Sequence, residues 1–195
     1  MSYRLVTPPS LEPVTLDEVK AYARIDDTAE DALLSGLISV ARQWCEGFTR
    51  RAFISQGWVK SVSRLPKTDR IVLPRAPLVS VESVTVYDDA DNGEVWDSAN
   101  YFVDTQNEPG GIVLRSGACW PVPGRSAQGV SIVYTVGYGT SAEAVPAALR
   151  LAVKQLALHF YEHRSEAVVG ESVARIPLGI EALLTPYRLL TVGAA

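Results

Sequence analysis

The chain has 195 residues, 47% hydrophobic and 21% charged, so it is long enough to bury a core without a disulfide or metal staple. Its 18 Lys and Arg against 22 Asp and Glu give a net charge of −4, which argues against a protein whose main task is to grip phosphate backbones. The sequence has no apolar run of membrane-span length, no secretory leader and only two isolated cysteines, Cys45 and Cys119. These features predict a soluble globular protein in a reducing compartment.

Residues 15–54 are predicted to be helical. Thr15 and Glu18 have the spacing of a capping box, in which each side chain bonds the other residue's backbone N–H. A second start signal lies at residues 27–31, where acidic groups favour the positive end of a helix dipole. One apolar stripe at helical spacing then predicts the long helix. Its members are Leu33, Leu34, Leu37, Ile38, Ala41, Trp44, Cys45 and Phe48.

Residues 55–140 are predicted to form a β insert of short strands. Val79 and Val81 alternate with polar residues, whereas Val84 and Val86 resume one residue out of phase, which predicts a bulge or turn. Asn92-Gly93 is a hairpin dipeptide. Because no helical segment separates the strands, antiparallel pairing is expected.

Residues 145–164 are predicted to return to a helix, which Pro146 opens and which is apolar on two sides. Residues 165–175 are predicted to be a loop, and residues 176–195 a tail whose short helix, 178–184, lies between Pro177 and Pro186. The predicted fold class is therefore α+β, in one domain spanning residues 1–195. It consists of an α-helical bundle (two N-terminal helices and one long C-terminal helix), an antiparallel β insert and a short C-terminal helical tail.

Five segments in this order resemble the head–tail connector (adaptor) proteins of tailed bacteriophages and gene transfer agents. They are residues 13–26, with Pro13-Val14-Thr15-Leu16-Asp17-Glu18; residues 33–54; residues 73–81, with Leu73-Pro74-Arg75-Ala76-Pro77; residues 145–164; and residues 178–188, with Leu183-Leu184-Thr185-Pro186-Tyr187-Arg188. The resemblance implies a structural virion protein rather than an enzyme, with no cofactor and no metal. It also implies a ring, usually of twelve copies, in the particle neck, assembled in the bacterial cytoplasm.

Such a ring lies below the portal protein, extends the channel through which double-stranded DNA passes without sequence-specific binding, and carries the stopper or head–tail joining protein. The C-terminal segment is expected to reach the portal, and helix packing between neighbouring copies to close the ring. The partner-binding residues are then predicted to be Leu178, Gly179, Leu183, Leu184, Pro186, Tyr187 and Arg188. The residues predicted at helix contacts between subunits are Arg50, Arg51, Leu151, Leu158 and Tyr161.

The tail itself leaves two interpretations open. A lone helix this short is unstable, so its apolar residues either pack on their own domain or become ordered on a partner. Tyr187 and Arg188 are of the types enriched at interface hot spots, and the resemblance favours the partner. On that interpretation, removing residues 176–195 weakens portal attachment and leaves the domain folded.

An alternative function is a zinc-dependent hydrolase. His159, Glu162 and His163 match the H-x-x-E-H pattern, in which two imidazoles on one helix face hold a cation and the glutamate activates water. A third ligand would have to come from carboxylates such as Glu166, Glu171 or Glu181. The competing interpretation is two interfacial histidines near a helix C-terminus. A tail-tube or stopper component is a third possibility, which the long helices suit less well.

Overall fold

A computed structural model describes residues 2–163 and 176–190. The chain divides into two compact units, each built from two separate segments. The β unit comprises Met1–Ser10 and Ser55–Tyr138, and the helical unit comprises Leu11–Ile54 and Gly139–Ala195. No helix within the described ranges combines the length and the apolarity that a membrane crossing requires.

The β unit contains two antiparallel sheets. The five-stranded sheet has the order β1-β2-β8-β4-β5, and its strands are β1 (Ser2–Thr7), β2 (Gln56–Val62), β8 (Val130–Val136), β4 (Leu78–Tyr87) and β5 (Gly93–Val95). The three-stranded sheet has the order β3-β7-β6, and its strands are β3 (Arg70–Val72), β7 (Gly111–Leu114) and β6 (Tyr101–Asp104).

Side-chain alternation gives the β unit a core of its own. The central strand β8 buries every second residue, and among these Ile132 and Tyr134 are fully buried. The pairing of β4 with β8 shifts register twice, between Leu78 and Ser80 and between Val81 and Ser83, so the predicted bulge is confirmed. Lys60 of β2 donates to the carbonyl of Val72 in β3 and thereby links the two sheets.

The helical unit contains α1 (Leu16–Ala23), α2 (Asp31–Thr49), α3 (Ala147–Glu162) and α4 (Leu178–Leu184) within its described residues. The predicted capping box opens α1: Thr15 Oγ1 accepts from the Glu18 N–H at 3.1 Å, and Glu18 accepts from the Thr15 N–H at 2.9 Å. Arg24 and Arg50 follow α1 and α2 in left-handed conformations with φ near 57° and 58° and end these helices.

The predicted fold class is wrong. The structure is not a helical bundle that carries an insert and ends in one long C-terminal helix, because eight strands in two sheets form a separate compact unit. Ser2–Thr7 at the N-terminal end provide β1 of that unit. Among the helices that the structure describes, only α2 and α3 are long, at 19 and 16 residues, whereas α1 and α4 have eight and seven. The physical reason is that the strands bury enough apolar surface against one another to form an independent core, so they need no bundle to pack on.

The predicted helix over 145–164 is observed as Ala147–Glu162. Its predicted last residue, Arg164, lies outside the described residues, as do the predicted loop 165–175 and the tail residues 191–195.

Candidate interaction surfaces

The C-terminal segment packs against the end of α2 within the helical unit. Leu189 donates its N–H to the Thr49 carbonyl at 3.0 Å, and Arg51 Nε donates to the Tyr187 carbonyl at 2.6 Å. The Arg188 guanidinium lies 5.1 Å from the centre of the Phe48 ring, a cation–π distance. Residues 187–189 are therefore fixed to residues 48–51 by three independent contacts.

The predicted partner-binding residues differ in exposure, from buried through half-buried to exposed. Leu184 is fully buried, and Ile180 and Leu189 of the same segment are buried as well. Leu178 is 82% exposed and Gly179 has open space around it, so these two are accessible to a partner. Pro186 and Arg188 are exposed, and Leu183 and Tyr187 are half-buried.

The residues predicted at contacts between subunits also differ in exposure. Arg50 is exposed, and Leu151 and Tyr161 are half-buried, with the Tyr161 hydroxyl bonded to Glu30. Arg51 and Leu158 are only 8% exposed, so both contribute to the interior of the helical unit.

Two of the three charged side chains of α2, Arg42 and Glu46, are buried. Arg42, 7% exposed, donates to Glu12 at 2.7 Å and to Glu46 at 2.9 Å, and Glu46 also accepts the Phe53 N–H at 2.8 Å. Burial opposes the charge of Arg42, but the hydrogen bond to Glu12 and the charge of Glu46 outweigh it, so the pKa of Arg42 is raised. The remaining charge of the helix, Asp31, pairs with Lys20 at 2.7 Å.

Sequence reasoning missed two features of α2. The partnership of Glu12 with Arg42 joins residues 30 positions apart, and no periodic pattern reports such a pair. The predicted single apolar stripe is in fact two faces: Leu34 and Ile38 are buried, whereas Leu33 is 42% exposed. Val40, which the prediction did not use, is 51% exposed on the outer face.

The histidine pair does not form a metal centre with other described residues. The rings of His159 and His163 lie 4.3 Å apart between centroids, but no group of three or more His, Cys, Asp or Glu positioned to hold a cation occurs in residues 2–163 and 176–190. His163 Nδ1 is 2.9 Å from the His159 carbonyl, which only accepts, so this nitrogen donates. The described residues thus provide no third ligand beside the pair, and they give no support to the zinc hydrolase.

The cysteines occupy contrasting positions. Cys45 is fully buried in α2, and burial raises the pKa of its thiol to about 12, so it is a packing group rather than a nucleophile. Cys119 is exposed.

Known proteins are similar to this chain over nearly its full length. A family model described as "head completion protein" matches residues 12–190. Three solved structures contain a chain 26% identical to this one, each aligned over 100% of this chain and 99% of that chain. They are the virion of the native gene transfer agent (GTA) particle and the neck of the empty GTA particle computed with C6 symmetry, both with TM-score 0.82, and the neck of the native GTA particle computed with C12 symmetry, with TM-score 0.75. A comparison with curated proteins gives no match.

Because the family model spans nearly the whole chain, the chain belongs to the head completion protein family. The predicted resemblance to head–tail connectors is thereby confirmed, and so is the predicted structural role in the neck of a phage or gene-transfer-agent particle.

Proposed function

We propose that twelve copies of the chain form a closed ring in the particle neck, directly below the portal protein. The observation that carries this proposal is the full-length similarity to a chain in GTA necks that were computed with C6 and C12 symmetry. A neck with this rotational symmetry is what a ring of twelve equivalent copies would produce, since every copy then makes the same two contacts with its neighbours.

The ring extends the channel for double-stranded DNA and carries the stopper or head–tail joining protein. The net charge of −4 supports a channel through which DNA slides, because few Lys and Arg are available to neutralise phosphates. Sequence-specific reading of bases is not part of this role.

The exposed part of the C-terminal segment is the proposed portal contact. Leu178 and Leu190 are 82% and 81% exposed, although both are large and apolar. Buried Leu184 and Leu189 hold them in place from the inside, so the tail offers the portal a preformed surface. Leu183, Pro186, Tyr187 and Arg188 form the rest of that surface, and Leu184 acts as its support.

Burial reduces the number of residues that can contact a neighbouring copy. Arg50, Leu151 and Tyr161 retain accessible surface and are proposed to contact a neighbouring copy. Arg51 and Leu158 position these surfaces from the interior of the helical unit.

Depletion of the chain in a producing strain tests the role. DNA-containing heads and finished tails should accumulate separately, and re-expression of the chain should restore joined particles. Particles that are joined and infective or transfer-competent without the chain would contradict the proposal.

The portal contact is tested by pull-down with purified portal. Leu178→Asp should weaken capture, because it places a charge in an apolar contact. Val122→Asp, at a residue 91% exposed in the β unit, is the matched control for added surface charge. Equal capture of the Leu178→Asp variant and the unmodified chain would contradict a portal contact at this segment.

A further inference from the structure

Strand β1 is held in the β unit along one side only. It lies at an edge of the five-stranded sheet, and β2 is its neighbour there. All six of its residues are exposed, whereas the central strand β8 buries every second residue. Among the described residues, none of the buried apolar residues of the β unit belongs to β1. The strand therefore covers the edge of the sheet without being part of the core.

The edge of β2 is fitted to the sequence of β1. The ring centroids of Tyr3 and Trp58 are 5.6 Å apart across the two strands. At the other end of the ladder, a Cβ built on Gly57 would lie only 3.1 Å from the Thr7 side chain, so the glycine makes room for that residue. Without β1, the backbone N–H and C=O groups along this edge of β2 would lose their partners. The edge of β2 thus requires a strand beside it, and β1 is complementary to it.

A proline-rich linker joins β1 to the helical unit. Three of residues 8–13 are prolines, and positions 8, 10 and 11 are exposed. The linker is anchored at Glu12, which accepts hydrogen bonds from Ser39 and Arg42 at 2.7 Å each. Proline-rich segments are extended and stiff, at about 3.1 Å per residue. Because α1 and α2 also separate β1 from β2 in sequence, no tight turn ties the two strands together.

We infer that copies of this chain in the ring exchange their first strand, so that β1 of one copy pairs with β2 of the next copy. The inference rests on the proposed ring and names the segment that links its subunits. A second copy is the occupant because the edge of β2 already fits β1, and exchange reproduces the same ladder without any new surface.

The exchanged contact has the directionality that a ring needs. The strand that is given and the edge that receives it are unlike surfaces, so each copy gives one strand to one neighbour and receives one from the other. Such head-to-tail contacts close into a ring when the rotation between copies closes. An extended proline-rich linker suits this arrangement, because it holds β1 away from its anchor rather than folding it back in a tight turn.

A disulfide between the two strands distinguishes exchange from pairing within one copy. Ser2 lies opposite Ser61 in the ladder, so their Cα atoms are about 4.5–5.5 Å apart, within the range that a disulfide spans. Ser2→Cys and Ser61→Cys are combined with Cys119→Ser, because Cys119 is exposed whereas Cys45 is buried. After mild oxidation of purified particles, non-reducing electrophoresis should show bands at multiples of the mass of one chain. A band at the mass of one chain alone, with or without an internal disulfide, would overturn the inference.

A mixture of single variants gives the same answer independently. Particles that contain copies with Ser2→Cys and copies with Ser61→Cys should yield a covalent dimer, in which peptide mapping finds residue 2 linked to residue 61. Ser2→Cys with Ser131→Cys is the matched control, since Ser131 pairs with Ser61 from the far side of β2. It lies about 10 Å from residue 2, too far for a disulfide. Absence of the 2–61 dimer, or a link from residue 2 to another particle protein only, would overturn the inference.

The two proposals fail differently. If the unmodified chain is missing from purified particles, the neck role fails. If the chain is present there and each β1 is linked to β2 of its own copy, only the strand exchange fails.

Discussion

Truncating Leu184 tests whether the C-terminal segment is part of the folded helical unit. The side chain is fully buried, and Ile180 and Leu189 of the same segment are only 3% and 8% exposed. Leu184→Ala removes buried methyl groups and leaves a cavity, a change that costs about 3 kcal/mol at such sites. The unfolded fraction of the helical unit should then rise by more than about a hundredfold.

The assay is urea unfolding, followed by hydrogen exchange in peptides from α2 and α4 so that the helical unit is observed by itself. Leu178→Ala, at a residue 82% exposed, is the matched control and should stay within about 0.5 kcal/mol of the unmodified chain. The Leu189 amide, bonded to the Thr49 carbonyl, should lose protection in Leu184→Ala alone. Unchanged stability of Leu184→Ala would refute the packing of the tail on its own unit.

The remaining predictions concern buried charge, close backbone approach and acid stability. Glu46→Ala should destabilise the helical unit by about 3 kcal/mol in urea unfolding, because it leaves a buried arginine with one carboxylate instead of two. Gly111→Ala should destabilise the β unit by about 1–3 kcal/mol, the usual cost of overpacking, because the new Cβ would lie 2.3 Å from the Ile71 carbonyl oxygen. Gly179→Ala is the control: its Cβ would lie in open space, so the thermal midpoint should not fall. Hydrogen bonds from Arg70 and Asn107 lower the pKa of Asp104 to about 2. The ionised Asp104 therefore stabilises the folded β unit fully above pH about 4, and this contribution is lost as the pH falls towards 2. Asp104→Asn should remove this part of the pH dependence in urea titrations of the β unit.

Features that depend on neighbours in sequence were predictable. The capping box needs only Thr15 and Glu18 three positions apart, and both of its hydrogen bonds are present. The short helix between two prolines is found at Leu178–Leu184, since proline both opens a helix and prevents its continuation. The phase change in the valines of β4 appears as its register shifts.

Features that depend on distant partners were not predictable. β1 pairs with β2, so Ser2 lies opposite Ser61, and no local signal in residues 2–7 reveals this partner. For the same reason local patterns predict an insert, whereas the β region forms a separate unit with the N-terminal strand.

Which residues of α2 and of the tail are exposed also depends on packing, which the sequence pattern does not report. Leu33 and Leu34 are chemically identical neighbours, yet one is exposed and the other is buried. Hydrophobic periodicity finds the apolar positions of a helix, but it does not say which of two adjacent stripes meets the core. The tail residues were identified by composition, and only the packing of Leu184 shows that part of the tail supports its own unit. Removal of residues 176–195 is therefore now expected to destabilise the helical unit rather than to leave it intact.

Electron microscopy of the purified chain mixed with its portal protein tests the central claim most directly. We expect averaged images of a closed ring of twelve copies seated on the portal, coaxial with its channel. A chain that stays monomeric beside intact portal, or that binds it as isolated copies without a ring, would contradict the account.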